Sequence, residues 1–283
     1  MLLTQYSNPQ EFLQKVCPFL ERNEAMNNLL LGTSFRLAQP DNSEIAAKAL
    51  LIVVEEKKEV VFVAIQTAPH SLIIAAKAEY MDKGSEAIIK LLEDEEMEIP
   101  GVIGEKSLGH IFAQKWCSRK NLGFKSLMEM GVFQLDKVTE LDIAEGNLRL
   151  VNESDEDLLT DWILGFDSET FQEETLESAR KLAKVKLQSG RQYIWETNGV
   201  PVSMASGTRP TNHCMTISVV YTPPKYRKNG YARSCVAQIS RMMLDRGYQF
   251  CALFTDLSNP TSNKIYQEVG YYKVGEFVNL KFI

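Results

Sequence analysis

Cysteine and histidine are scarce in this chain of 283 residues, which has five cysteines and three histidines. The cysteines are widely spaced and form no C-x-x-C pair, which argues against a disulfide framework and against a metal site. Long apolar runs are missing too, because the longest, residues 49–54 and 60–65, are too short to cross a bilayer. No basic region followed by an apolar stretch opens the sequence, so we expect a reducing, cytoplasmic location.

Positive charge is also in short supply, since the net charge is -6. A nucleic-acid binder usually carries a basic face, so we expect neither a nucleic-acid nor a membrane partner. Apolar residues make up 45% and charged residues 24% of the chain, an ordinary globular balance. The length suits two domains, and the weakly periodic residues 136–146 predict the connection between residues 1–145 and 146–283.

Local patterns predict alternating helices and strands in both halves. A charged turn at residues 56–58 and the Asn198-Gly199 pair each predict a β-hairpin. Ser154 and Asp157 have the spacing of a capping box at a helix start. Residues 271–282 predict two closing strands.

The two halves repeat one order of elements, which predicts a duplicated unit. In this interpretation residues 64–70, which end at Pro69 and His70, correspond to residues 219–225, which contain Pro223 and Pro224. Each segment precedes a helix, a strand, a second helix and a last strand.

The segment TPPKYRKNGYA over residues 222–232 lies between a β-rich run and an amphipathic helix. Arg227, Gly230 and Ala232 have the spacing R-x-x-G-x-A. Glycine permits a tight turn and close approach of a ligand, and the free N–H groups and dipole of the next helix attract an anion. The segment is neither a Rossmann fingerprint nor a P-loop. It predicts a phosphate site, although a plain surface turn would explain a glycine at this place as well.

A second motif follows at residues 254–271, FTDLSNPTSNKIYQEVGY. Together the two motifs resemble the GNAT superfamily of acetyl-CoA-dependent N-acetyltransferases, over about fifty residues. The departure is Lys228-Asn229, where that family often has glycine after the arginine. The resemblance implies a mixed α/β fold, with a mostly antiparallel central sheet flanked by helices, in two tandem GNAT-like domains. The first copy lacks R-x-x-G-x-A. The resemblance therefore implies a degenerate first domain, which shapes substrate access or stability, and a catalytic second domain.

In that family the R-x-x-G-x-A loop wraps the coenzyme diphosphate, and the preceding strand offers its backbone to the pantetheine arm and the thioester carbonyl. The resemblance implies acetyl-CoA contacts for Val220, Tyr221, Thr222, Arg227, Lys228, Asn229, Gly230, Tyr231, Ala232, Asn259 and Asn263. Asn259 precedes Pro260, so a helix N-cap explains it equally well.

The resemblance implies that Tyr266 donates a proton to the coenzyme thiolate. A phenol suits this role because it is protonated at neutral pH. Simple packing beside Ile265 and Val269 is the alternative. The general base is not identified by the sequence. Glu196 is the candidate from the Asn-Gly hairpin, with Asp256 and the helix-start residues Glu173 and Glu174 as weaker ones. Each of these is also explained as a solvated charge.

The sequence therefore predicts an enzyme that moves an acetyl group from acetyl-CoA to a primary amine of a small molecule or peptide. A non-catalytic acyl-CoA-binding or regulatory module is the alternative, and a generic nucleotide-binding α/β protein a third. Both a monomer and a homodimer fit two similar halves in one chain.

Overall fold

The charged turn at residues 56–58 forms the predicted hairpin in the computed structural model, which describes residues 1–170 and 175–283. Lys57 and Lys58 have φ of 51° and 68°, and Asn198 and Gly199 have 49° and 74°. Two successive residues with positive φ make a type I′ turn, whose twist matches that of the flanking strands. Both predicted hairpins are therefore present.

The described residues divide into two compact units, and no helix among them has the length and apolar character of a membrane span. The strands are β1 (Leu2–Gln5), β2 (Leu50–Glu56), β3 (Glu59–Gln66), β4 (Leu72–Ala76), β5 (Gly101–Glu105), β6 (Phe124–Leu135), β7 (Asn147–Leu150), β8 (Gln192–Thr197), β9 (Val200–Thr208), β10 (Cys214–Tyr221), β11 (Phe250–Asp256) and β12 (Tyr272–Phe282). The helices are α1 (Pro9–Leu20), α2 (Glu24–Leu37), α3 (Ser43–Ala46), α4 (Met81–Asp94), α5 (Lys106–Lys120), α6 (Glu156–Glu169), α7 (Leu176–Gln188), α8 (Tyr231–Asp245) and α9 (Pro260–Val269).

The units are not contiguous in sequence, whereas the sequence predicted contiguous domains. Unit 1 contains residues 1–133, 254–259 and 273–283, and unit 2 contains residues 134–253 and 260–272. The end of the chain thus joins the first unit, because β12 pairs antiparallel with β5, for example Phe277 with Glu105.

In unit 1 the strand order is β1-β2-β3-β4-β5-β12-β6. The pairs β1–β2, β2–β3, β3–β4 and β5–β12 are antiparallel, and β4 runs parallel to β5. Side chains alternate between two cores, as the period of a strand requires. Val53 and Ile65 pack with α1 and α2, whereas Ile52 and Phe62 pack with α4 and α5.

In unit 2 the strand order is β11-β10-β9-β8-β7. The pairs are antiparallel except β10 with β11. Helices α6 and α7 share a core with the sheet around Leu159, Ala183, Ile194 and Met204. The apolar stripe of α8 is buried against β8, β9 and β10. A mostly antiparallel sheet flanked by helices was predicted, and this fold class is confirmed.

Two local predictions were wrong. The capping box uses Asn152 and Asp155 instead of Ser154 and Asp157, because the Asp155 carboxylate accepts the Asn152 N–H at 2.9 Å. The closing segment forms one strand, β12 (Tyr272–Phe282), instead of two. Gly275 lies within this strand and allows close approach of another segment, since a Cβ on it would lie 2.5 Å from Met26 Sδ.

The duplication has a different register from the one the sequence suggested. The strand that runs parallel to its successor is β4 in unit 1 and β10 in unit 2. Residues 64–70, which end β3, are therefore not the counterpart of residues 219–225. The counterpart follows β4, where residues 77–82 have no R-x-x-G-x-A spacing.

Candidate functional site

Strand β10 carries a β-bulge near its carboxyl end. Ser218 pairs with Ser206 and Tyr221 pairs with Met204, so β10 uses one residue more than β9 over this stretch. Val219 has φ of 50°, which is unusual for a β-branched side chain. Strained backbone of this kind persists where the surroundings enforce it, and it concentrates at functional sites.

Beyond its start, β10 also leaves the parallel partner β11. Within the described part of unit 2 the pairing covers residues 214–216 with residues 250–252, whereas β10 continues to Tyr221. The bulged peptides at Val219 and Val220 thus lie past the paired region. A main chain that is released from its ladder in this way can offer hydrogen bonds to an extended ligand.

The loop after β10 ends at Gly230, which is the N-cap residue of α8. Pro224–Tyr226 forms a 3-10 turn, and Asn229 Nδ2 donates to the carbonyls of Tyr226 and Arg227, both at 3.1 Å. Lys228 and Gly230 have φ of 66° and 77°. No side chain caps α8, so the donors of its first turn remain available for an anion.

The loop that precedes these donors carries three positively charged residues, Lys225, Arg227 and Lys228. Arg227 Nε donates to the Thr222 carbonyl at 2.9 Å, and its guanidinium pairs with Glu169 at the end of α6. Lys228 is exposed, and Lys225 Nζ lies 4.6 Å from the centre of the Tyr226 ring. The arrangement fits a phosphorylated ligand, which Arg227 would bind in exchange for Glu169.

Tyr221 anchors the bulged strand. Its ring lies in the unit 2 core edge-on to Trp162, with 6.4 Å between centroids, and burial raises the pKa of its hydroxyl. Ser203 Oγ hydrogen-bonds to the Tyr221 carbonyl at 3.2 Å and to Thr222 Oγ1 at 2.8 Å. These contacts fix the direction in which the loop leaves β10.

Helix α9 brings Tyr266 into the same unit. The Tyr266 ring is half-buried and edge-on to Tyr271 at 6.2 Å between centroids, and desolvation raises its pKa to about 12. Tyr271 shares a hydrogen bond of 2.8 Å with Ser240 of α8. Arg233 in the first turn of α8 pairs with Glu268 of α9 at 3.2 Å. The two helices that follow β10 and β11 are therefore held together.

Every predicted coenzyme residue lies in the described part of the chain. Val220 and Tyr221 end β10, and Tyr231 and Ala232 begin α8. The loop between these two elements contains Thr222, Arg227, Lys228, Asn229 and Gly230. Asn259 precedes α9, and Asn263 lies in the first turn of that helix. Nine of these eleven follow one another from the bulge into α8. Their roles in binding stay predictions.

Glu196, the predicted base, is held in an ion-pair network. Arg149 Nε donates to Glu196 at 2.7 Å, and the same guanidinium binds both Asp155 oxygens at 2.7 and 2.9 Å. Asp155 closes the Asn152 capping box, so the network ties β7 and β8 to the start of α6. A structural role accounts for Glu196, and its catalytic role stays a prediction.

The other acidic candidates have different outcomes. Asp256 accepts the Ser258 N–H at 2.8 Å, and its carbonyl accepts the Asn259 N–H at 3.1 Å, which shapes the turn before α9. Glu173 and Glu174 lie outside the described residues.

Sequence reasoning missed two features of the site. No residue pattern marks the positive φ of Val219, because valine is ordinarily a good strand former. Glu169 pairs with Arg227 from 58 residues away, a separation at which helix spacing gives no signal.

A family model matches part of the C-terminal half of the chain. Residues 156–271, which include the bulge, the loop and Tyr266, match the model of the acetyltransferase (GNAT) family. These residues belong to the GNAT family of acetyltransferases. A search of curated proteins by sequence found no match. The GNAT resemblance drawn from the two motifs is confirmed.

Solved structures extend the likeness to the whole chain. An acetyltransferase from the GNAT family of Colwellia psychrerythraea covers 100% of this chain and 100% of its own, at 10% identity and a TM-score of 0.60. A GCN5-related N-acetyltransferase of Sphaerobacter thermophilus covers 99% of this chain and 95% of its own, at 14% identity and a TM-score of 0.62. A tandem GNAT protein from the clavulanic acid biosynthesis pathway covers 100% of this chain and 98% of its own, at 9% identity and a TM-score of 0.55. At such identities the likeness shows the fold, which is the tandem GNAT arrangement that the sequence predicted.

Proposed function

We propose that this GNAT protein transfers an acetyl group from acetyl-CoA to a primary amine of a small molecule or peptide. Members of the GNAT family use acyl-CoA. The observation that carries the proposal is the bulged end of β10, which leads through a basic loop into the glycine-capped α8.

Coenzyme binding is assigned to main-chain donors with help from Arg227. The first-turn amides of α8, at Tyr231 and Ala232, would hold the diphosphate, since the dipole adds about half a positive charge there. Peptides of the bulge at Val219 and Val220 would bind the pantetheine arm and polarise the thioester carbonyl. A preorganised donor of this kind stabilises the oxyanion of the tetrahedral intermediate.

The transfer itself is a direct attack. The amine nitrogen bonds to the carbonyl carbon, the carbon–sulfur bond breaks, and the thiolate takes a proton from the Tyr266 hydroxyl. Burial raises the pKa of Tyr266 to about 12, so this hydroxyl is protonated at every working pH. The proton lost by the amine goes to water, and water returns a proton to the Tyr266 phenolate. Glu196 is not used as the base because Arg149 already engages it.

The net charge of -6 favours a cationic acceptor, such as an amine-bearing metabolite or peptide, over a nucleic acid. Unit 1 is assigned a supporting role because the segment after β4 lacks the glycine cradle. A chain that contains two such units can act as a monomer or as a homodimer.

The test is thiol release from acetyl-CoA with a panel of polyamines, amino sugars, amino acids and peptides, followed by mass measurement of the products. We expect one amine class to release thiol and gain an acetyl group. Binding of acetyl-CoA without turnover on any amine would instead support the acyl-CoA-binding module. Equal binding of simple nucleotides would support a generic nucleotide site.

A further inference from the structure

Unit 1 contains a cavity of about 200 Å³ at the place where β4 parts from β5. The parallel pairing covers residues 72–74 with residues 102–104, and β4 then continues through Ala75 and Ala76. These last two residues pair only on their other side, with β3, within the described chain. The cavity therefore occupies the position in unit 1 that the bulged end of β10 occupies in unit 2.

The cavity has an apolar body. Ile74, Ala76, Met26, Met81 and Phe277 line it from β4, α2, the start of α4 and β12. Gly275 leaves the space that the Met26 thioether fills, because a Cβ there would lie 2.7 Å from Met26 Cε. Its volume is below the roughly 300–1,000 Å³ of sites for drug-sized ligands, so it suits a short molecule.

The polar lining contains two cations, Arg22 and Lys77, beside the amides Asn23 and Asn27 and the carboxylate of Glu105. Arg22 is exposed, and Lys77 binds Glu59 on β3. The hydrogen bond from Lys77, and to a smaller extent the charge of Arg22, lowers the pKa of Glu59. An ammonium group has three donors, so Lys77 can bind a second carboxylate beside Glu59.

The acidic residue of the lining is already compensated. Both Glu105 oxygens accept main-chain N–H groups at the start of α5, from Ser107 at 3.1 Å and Leu108 at 3.0 Å. In addition α4 begins at Met81 with no side-chain cap, which adds the positive end of a helix dipole beside the cavity.

From this combination we infer that the cavity of unit 1 binds a short organic carboxylate, with its apolar tail on Met26 and Met81 and its carboxylate between Arg22 and Lys77. This site takes a different ligand from the coenzyme, since the segment after β4 has no diphosphate cradle. It does not depend on the acetyl transfer proposed for unit 2.

Hexanoate, 1-hexanol and hexylamine are matched probes, because they share one tail and differ in charge. Titration of the full-length protein, followed by ligand-detected NMR and calorimetry, should show saturable binding of hexanoate, at least roughly tenfold stronger than that of hexanol or hexylamine. Absence of saturable binding, or equal binding of the three probes, would overturn the inference.

Variants locate the site. Arg22→Gln changes an exposed side chain, so it should fold normally and weaken hexanoate binding by roughly tenfold. Ala76→Leu should also weaken it by reducing the volume. Arg36→Gln, which changes an exposed arginine on α2, and Arg227→Ala in unit 2 should leave it unchanged. Loss of hexanoate binding in Arg227→Ala together with full binding in Arg22→Gln would place the carboxylate in unit 2 and refute the assignment.

Discussion

Arg227 and Glu169 form an ion pair on the surface of unit 2, with about half of each side chain exposed. The pair joins the loop after β10 to the last residue of α6, and Arg227 also donates to the Thr222 carbonyl. Exposed pairs of this kind contribute little to stability, about 0–1 kcal/mol. The guanidinium is thus positioned by the fold and can exchange Glu169 for a diphosphate at small cost.

Arg227→Ala should weaken coenzyme A binding by roughly ten- to a hundredfold, because a charge-assisted bond to phosphate is lost. Glu169→Gln should strengthen binding a few-fold, since it removes the competing carboxylate. Calorimetry with coenzyme A measures both effects. Arg241→Ala, on the exposed part of α8, is the matched control and should bind normally. Unchanged affinity in Arg227→Ala combined with Gly230→Asp would contradict the assigned site.

Gly230 has φ of 77° although a Cβ on it would have room, with its nearest neighbours at 3.8 Å. Gly230→Ala should therefore cost about 1–2 kcal/mol of folding free energy through backbone strain alone. Gly190 has φ of 63° and open space around it, so Gly190→Ala should cost a similar amount. Urea unfolding compares their stabilities and calorimetry their coenzyme affinities. We expect only Gly230→Ala to lose affinity, and an equal loss in both variants would exclude a specific role for the α8 turn.

Tyr266→Phe should lower kcat by roughly 10²-fold and leave the KM for acetyl-CoA unchanged, if the hydroxyl acts only on the departing thiolate. Burial raises the pKa of Tyr266 to about 12, so loss of its proton cannot limit the rate below about pH 11. Tyr272→Phe is the control. Tyr272 is exposed, and its hydrogen bond to Asp136 raises its pKa to about 12 as well. Full turnover of Tyr266→Phe at all pH values would show that the tyrosine only packs against Tyr271.

The hairpins and the loop were predicted because they depend on local patterns, and the fold class followed from the family that the two motifs resemble. Hairpin turns, the apolar stripe of α8 and the R-x-x-G-x-A spacing each lie within about fifteen consecutive residues. The Val219 bulge depends instead on register with β9, and the Arg227–Glu169 pair depends on a contact 58 residues apart. Tertiary geometry of this kind leaves no local mark in a single sequence.

Dependence on tertiary contacts also explains the wrong predictions for the repeat register and for the closing segment. The repeat was aligned on residues 64–70 because a proline follows a strand there, whereas the parallel partner that defines the repeat is the five-residue β4. Gly275 lies inside the single closing strand β12, where the neighbour that leaves room only for glycine is Met26, distant in sequence. The chain pattern marks a glycine without showing which neighbour requires it.

Glu196→Gln tests the base that the sequence suggested. The Arg149 guanidinium is shared by Glu196 and Asp155, so loss of one carboxylate should lower stability by about 1 kcal/mol. Because the ion pair accounts for Glu196, we expect kcat to stay within about twofold and the pH profile to keep its shape. A large fall in kcat with loss of the acidic limb of that profile would restore Glu196 as the general base.

Lys186 gives unit 2 a pH-dependent stability. Its ammonium is buried in α7 and donates to Ser206 Oγ at 2.9 Å, and burial lowers its pKa to about 8 although the charge of Asp167 opposes the shift. The unfolded chain holds this proton up to about pH 10.4, so it binds more protons than the folded protein between pH 8 and 10. The free energy of unfolding should therefore rise over that interval, by at most about 3 kcal/mol from this group.

Lys186→Met should remove this dependence. The variant should be more stable than the parent at pH 7, where the buried charge is present, and the difference should shrink towards pH 10. Urea unfolding at both pH values measures the difference between variants, from which the other titrating groups cancel. Lys184→Met, an exposed neighbour on the same helix, is the control and should follow the parent. Parallel stability profiles for the parent and Lys186→Met would mean that the buried amine keeps an ordinary pKa, in which case the folded protein retains its proton throughout.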